Sequence, residues 1–170
     1  MFGNDKAMLN IVLHEPEIPQ NTGNIGRTCV ATDTALHIIK PMCFSLDEKA
    51  VRRAGLDYWK DLNVTVYENY EHFLSVNAGV KVYMATTKAR KTYTDVSFRP
   101  GDFIMFGSES RGIPESILLD NRETAIRIPM FEKYRSLNLG NSVAIILYEA
   151  LRQNNFIGLE LEGQLHHNTW

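Results

Sequence analysis

Six short, mostly apolar runs set the frame of this chain: Leu9 to Leu13, Leu36 to Ile39, Val64 to Tyr67, Val80 to Ala85, Phe103 to Phe106 and Ala125 to Ile128. Runs this short suit strands buried on both faces better than helices, which need two or three turns to pay their nucleation cost. The stretches between them read as helices over Gly23 to Thr32, Asp47 to Ala54, Tyr70 to Val76, Pro114 to Leu119 and Leu139 to Gln153. Alternating strands and helices predict an α/β fold, a mostly parallel sheet with helices on both faces. With 170 residues, 44% hydrophobic and 22% charged, the chain can bury one core, so a single domain is expected over residues 8–156. Residues 1–7 and 157–170 carry no core pattern and are expected to be loosely ordered.

The stretch Phe106-Gly107-Ser108-Glu109-Ser110-Arg111-Gly112-Ile113-Pro114 places a polar, glycine-flanked loop between an apolar strand and a proline-led helix. Such a loop lies at the C-terminal end of its strand, where open α/β sheets bind ligands. Taken alone, a tight turn explains it equally well. Two further segments resemble it in placement. Glu15 to Arg27, with Asn21-Thr22-Gly23-Asn24-Ile25-Gly26-Arg27, follows the first strand; its prolines stiffen the loop and Asn21 or Thr22 is expected to cap the helix. Capping and packing account for the amide and the glycines, which permit close approach of another backbone, but not for Arg27. Ile128-Pro129-Met130 followed by Tyr134-Arg135-Ser136-Leu137-Asn138-Leu139-Gly140 gathers hydroxyl, amide and guanidinium groups at a helix start. Ser136 or Asn138 could simply cap that helix.

The remaining composition mainly excludes. No run approaches a membrane-spanning length and the first residues lack a signal peptide's basic and apolar regions, so no membrane association and a cytoplasmic location are expected. Cys29 and Cys43 lack ligand spacing and are expected to be buried reduced thiols, with no metal site. A net charge of −2 argues against coating nucleic acid by bulk electrostatics. Local basic groups are Arg52-Arg53, Lys88 with Arg90 and Lys91, and Arg127 with Lys133 and Arg135. Each alone reads more simply as a solvated face. The last helix is apolar on every side around Val143 to Tyr148, which predicts that a second copy covers its outer face in a twofold homodimer.

Taken in order, the three motifs resemble the SPOUT superfamily of RNA methyltransferases and, within it, the small TrmL/YibK type. The resemblance runs from Met8 to Gln153 and includes Leu36 to Pro41 and Arg52 to Tyr58. It implies an α/β knot, whose C-terminal segment threads a loop as a trefoil, and S-adenosylmethionine as cofactor. It implies a cofactor pocket made of Ala85, Thr86 and Thr87, of the loop holding Gly107, Glu109 and Gly112, and of Ile128, Ser136 and Leu137. The implied reaction is 2′-O-methylation of the wobble pyrimidine, position 34, in leucine tRNA. Arg27 then acts at the reacting hydroxyl beside a cofactor bound by the partner copy, with Asn21, Ser136 and Asn138 holding arginine and substrate in place; Glu109 has the least defined part. Arg52, Arg53, Lys88, Arg90, Lys91 and Arg135 are the expected RNA contacts. Tyr134, Ala89 and Ser108 depart from the usual pattern without touching Arg27, Ser136 or Asn138.

Three other readings compete. Another tRNA site or ribosomal RNA could be the substrate, or the chain could be a non-catalytic RNA-binding assembly factor that keeps the fold, against which Arg27 and Asn138 speak. A nucleotide-binding oxidoreductase is disfavoured, because the early glycines form no G-x-G-x-x-G turn.

Overall fold

The computed structural model describes residues 9–46 and 57–169. Seven strands form one sheet: β1 (Asn10–His14), β2 (Ala35–Ile39), β3 (Val64–Tyr67), β4 (Val82–Ala85), β5 (Lys91–Thr92), β6 (Phe103–Phe106) and β7 (Ala125–Arg127). Their order is β3-β2-β1-β6-β4-β7-β5, and each pairing between these strands is parallel. The central strands are buried throughout, which is why they appear in the sequence as apolar runs rather than as alternating patterns.

Successive residues still divide between two cores. Ile11, Leu13, Leu36, Ile38, Tyr83, Ile104 and Phe106 point to one face, where helices α1 (Pro19–Ala31) and α4 (Leu139–Gln153) supply Ile25, Cys29, Val143, Ile146 and Leu147. Val12, Ile39, Val82, Met84, Phe103 and Met105 point to the other, covered by Phe73 of α2 (Tyr70–Val76) and Ile117 of α3 (Glu115–Asp120). Each fully buried aliphatic side chain contributes roughly 1.5–3 kcal/mol of transfer free energy, so both faces are driven to keep their helices. Helices on both faces of a parallel sheet therefore hold as expected.

Several local expectations are corrected. Helix α1 starts at Pro19 rather than Gly23, with Ile18 as its N-cap and no side chain of its own in the capping role. Proline suits this first position, because its missing N–H is one that the helix could not bond. Asn21 and Thr22 thus lie in the first turn, and the Thr22 hydroxyl is buried without a hydrogen-bond partner among the described residues. Strand β4 begins at Val82, not Val80, and β5 was not foreseen. The helix expected over Asp47 to Ala54 lies outside the described residues, as do Arg52 and Arg53. Cys29 is buried, and burial pushes its thiol up to about 12, whereas Cys43 is exposed.

Helix α4 shows a stripe where the sequence reads as apolar all round. Val143, Ile146, Leu147, Ala150 and Leu151 are buried, while Asn141, Ile145, Tyr148 and Arg152 line the opposite, exposed side. Ile145 and Tyr148 leave an apolar centre on that side, 37% and 48% exposed.

Candidate active site

Strands β1, β4, β6 and β7 all end at the same edge of the sheet, and the loops that leave them meet there around one cleft. Its volume of about 760 Å³ falls within the range of small-molecule sites. Ala85, Thr86 and Lys88 line it from the end of β4, Gly107, Glu109 and Gly112 from the β6 loop, and Ile128, Arg135, Ser136, Leu137 and Asn138 from the segment entering α4. Asn21 closes it from α1. Segments far apart in the chain are thus brought together, including every residue the resemblance assigned to the cofactor.

The β6 loop is shaped by its own backbone. Gly112 N–H donates to the Ser108 carbonyl at 2.9 Å, and Gly112 adopts φ of 71°, a left-handed conformation that favours glycine. A Cβ on Gly107 would lie 2.0 Å from the Gly112 carbonyl carbon and 2.1 Å from Ile113 N. Gly107 is therefore required because the loop folds back on itself; a side chain there destroys the loop before it could obstruct a ligand.

Glu109 joins this loop to α1. One carboxylate oxygen accepts from Glu17 N–H at 2.8 Å; the other accepts from Ile18 N–H at 3.2 Å and from Asn21 Nδ2 at 2.9 Å. A carboxylate at a helix N-terminus satisfies free amides and complements the helix dipole, so Glu109 supplies the cap that α1 lacks. The contact is reciprocated: Ser110 donates from N–H at 3.0 Å and from Oγ at 2.6 Å to the Glu17 carboxylate, which holds that carboxyl below its ordinary range. Asn21 continues the network, accepting at Oδ1 from Asn138 Nδ2 at 3.0 Å. Asn138 in turn caps α4, its Oδ1 accepting from Asn141 N–H at 3.2 Å. One hydrogen-bonded chain, Glu109 to Asn21 to Asn138, thereby joins all three motifs.

Arg27 stands apart from the cleft of its own chain and is exposed. Its guanidinium lies 4.7 Å from the centre of the Tyr58 ring, and the Tyr58 hydroxyl donates to the Gly23 carbonyl at 2.6 Å. Burial raises the tyrosine hydroxyl above its ordinary range, against the opposing pull of Arg27. The turn carrying Tyr58, Asp57–Asp61, packs on α1 because Gly26 leaves room: a Cβ there would meet the Trp59 ring at 2.9 Å. Gly26 thus admits a side chain, where the sequence suggested close approach of a backbone. The tyrosine was not anticipated as part of the site; 31 positions separate it from Arg27 and no local spacing connects them.

The expected RNA contacts divide. Lys88 lines the cleft but pairs with Glu115 at 2.9 Å, and Lys91 pairs with Glu123 at 3.4 Å, so both carry compensated charge. Arg90 is exposed outside the cleft, and Arg135 is exposed on its rim. Among the described residues no cluster of His, Cys, Asp and Glu could hold a metal ion, and no helix is long and apolar enough to cross a membrane.

Comparison with known proteins adds a family to this geometry. The SpoU rRNA methylase family matches residues 8–148. The chain belongs to this family. The tRNA (cytidine(34)-2′-O)-methyltransferase of Escherichia coli (strain K12) is 49% identical over 155 residues, 91% of this chain and 99% of its own. A solved structure from Bacillus anthracis superposes with a TM-score of 0.87 at 46% identity, covering 91% of this chain and 99% of that one. A second solved structure, concerned with the 2-OH methylation of C/U34 on tRNA, gives a TM-score of 0.81 at 40% identity, over 88% of this chain and 97% of that one. The protein is an RNA methyltransferase of SPOUT fold.

Proposed function

We propose that the enzyme methylates the ribose 2′-hydroxyl of the wobble pyrimidine, position 34, of tRNA, with leucine tRNAs as its substrates, and that it works as a homodimer. The observation that carries this reading is the hydrogen-bonded chain from Glu109 through Asn21 to Asn138, which assembles the three motifs about one cleft. Relatives of 40–49% identity that the chain covers over 97–99% of their own length, one of them named for cytidine 34, support the substrate. Membership of the SpoU family over residues 8–148 supports the trefoil crossing.

The cleft fits S-adenosylmethionine, the family's methyl donor, in size and chemistry. Ile128, Leu137 and Ala85 give apolar walls, while Thr86, Ser136 and the Gly107 and Gly112 backbone offer polar groups for a nucleoside and an amino acid. Bound there, the donor supplies a sulfonium-activated methyl group. The protein's task is then on the acceptor side, because a ribose hydroxyl attacks only as its proton leaves. Guanidinium groups stay protonated in proteins, so Arg27 orients the nucleotide and stabilises negative charge on the 2′-oxygen, while a phosphate or water receives the proton. Tyr58 holds that guanidinium by its ring face. Since Arg27 lies outside its own chain's cleft, it serves the cleft of a second copy, and the exposed Ile145 and Tyr148 on α4 form part of the contact between copies. Asn21 and Asn138 position the arginine helix against the cleft; Glu109 acts with them through its cap on α1.

Incubating the enzyme with bulk RNA and labelled S-adenosylmethionine, followed by nucleoside mass spectrometry, tests the proposal. A 2′-O-methylated pyrimidine in tRNA, mapped to position 34 of leucine isoacceptors, is the expected product. Label confined to ribosomal RNA would overturn it.

A further inference from the structure

Between β7 and α4 the chain makes a β-turn at the rim of the cleft, closed by Tyr134 N–H donating to the Phe131 carbonyl at 3.1 Å. Met130 before the turn and Arg135 after it both line the cleft, whereas the turn itself projects beyond the lining. Phe131 is 82% exposed and Tyr134 59% exposed, so the rim presents two aromatic rings to solvent. The turn keeps their Cα atoms within about 7 Å of each other. Cations are interleaved with them: Lys133 Nζ sits 5.0 Å from the centre of the Tyr134 ring, and Arg135 follows directly. Glu132 is the one acid of this turn.

The geometry points to a stacking platform for single-stranded RNA at this turn, with the nucleotide next to the reacting one resting on Phe131 and Tyr134 while Lys133 and Arg135 meet its phosphates. This rests on the reading of the cleft as an RNA methyl-transfer site. Exposed aromatic faces with neighbouring cations bind unpaired bases irrespective of sequence, since every base has a π-face and every nucleotide a phosphate. A second copy of the chain is the poorer occupant. Its natural contact is the apolar centre of the α4 face, whereas here the apolar area is two rings broken by charge and placed at the mouth through which the acceptor must enter. Neither ring belongs to either hydrophobic core among the described residues.

Fluorescence anisotropy with the intact enzyme tests the platform, using a single-stranded oligoribonucleotide of anticodon-loop sequence and, for comparison, a blunt RNA duplex. Phe131→Ala and Tyr134→Ala should each weaken single-strand binding by roughly tenfold or more, on the scale of base–aromatic stacking. Tyr134→Phe, which keeps the ring, should bind as wild type, and duplex binding, S-adenosylmethionine affinity and sedimentation should not change in any variant. Unchanged single-strand affinity in both alanine variants would overturn the platform. So would an altered sedimentation coefficient, which would make the turn a contact between copies. Because the readout is binding to a single strand and not product formation, methylation found only in ribosomal RNA would remove the tRNA assignment and leave the platform standing.

Discussion

His37 and Glu109 each stand at the centre of a side-chain network, and burial sets the two apart. His37 is sealed in the sheet, with Nε2 3.1 Å from Asn10 Oδ1, Nδ1 2.8 Å from the Tyr67 hydroxyl, and Phe103 packed at 5.0 Å between ring centres. Its tautomer follows from its neighbours. Asn10 Nδ2 donates to the Gly101 and Asp102 carbonyls, which leaves Oδ1 as the acceptor, so His37 donates from Nε2 and accepts the tyrosine proton at Nδ1. Desolvation pushes His37 down to about 4 and keeps it neutral. This network ties β1, β2 and β3 together, and none of its three residues lines the candidate active-site cleft. The Glu109 network lies at the partly exposed ends of the strands and joins loops instead, including the amides that open α1. The buried network should act on stability, and the rim network on the placement of reacting groups.

Arg27→Ala gives the largest expected effect on the chemical side: turnover falls by about 10²–10³-fold, the scale of removing one charge-stabilising donor, with S-adenosylmethionine affinity near wild type by calorimetry. Gly107→Val should abolish donor binding through collapse of the loop, whereas Thr87→Trp fills the cleft from outside the Glu109 loop and leaves the cap on α1 in place. A mixture of inactive Arg27→Ala and Thr87→Trp chains should therefore regain activity in heterodimers that carry one complete site. Exchanged heterodimers without activity would refute the shared site. The buried side of the comparison is sharpened by acid. An unfolded histidine takes up its proton near pH 6.5, the folded His37 only near 4, so the unfolded state binds more protons between these values and stability is lost as pH falls through that window. The loss should reach about 3 kcal/mol in denaturant titrations, and the His37 ring signals in NMR should titrate near pH 4. A midpoint near 6.5 would show that the ring is not sealed.

Glu109→Gln keeps the shape but turns one acceptor into a donor facing the α1 amides. A fall of about tenfold in turnover is expected, with roughly 1–2 kcal/mol of stability lost in thermal melts and little change in donor affinity. If donor affinity fell as far as turnover, Glu109 would belong to the cofactor and not to the arginine helix. The smallest effect is expected for Lys88→Ala, under about 0.5 kcal/mol in the same melts, because its pair with Glu115 is exposed at both ends.

The sequence by itself determined the parallel sheet, because strands buried on both faces must be apolar at nearly every position, and Leu9 to Leu13 or Phe103 to Phe106 has no other good reading. Local patterns also put Asn21, Gly107 and Ser136 beside strand ends and helix starts, while the assignment of their loops to one pocket, with Ala85 and Thr86, came from the resemblance to the SPOUT superfamily. Proline at position 19 carried the true start of α1, a signal outweighed by the more conspicuous Asn21 and Thr22. Tertiary structure decided the rest. Strand β5 has two residues, Lys91 and Thr92, polar and too few to show a period, and it exists because β7 offers an edge. The part played by Glu109 depends on amides about 90 positions away, that of Asn138 on Asn21 at a separation of 117, and the seat of Arg27 on a ring brought across α1 by the gap at Gly26. Backbone periodicity is a local property and is written in neighbouring residues, whereas a hydrogen bond between loops or a cation over a ring forms only after the sheet has fixed the distance between its strand ends.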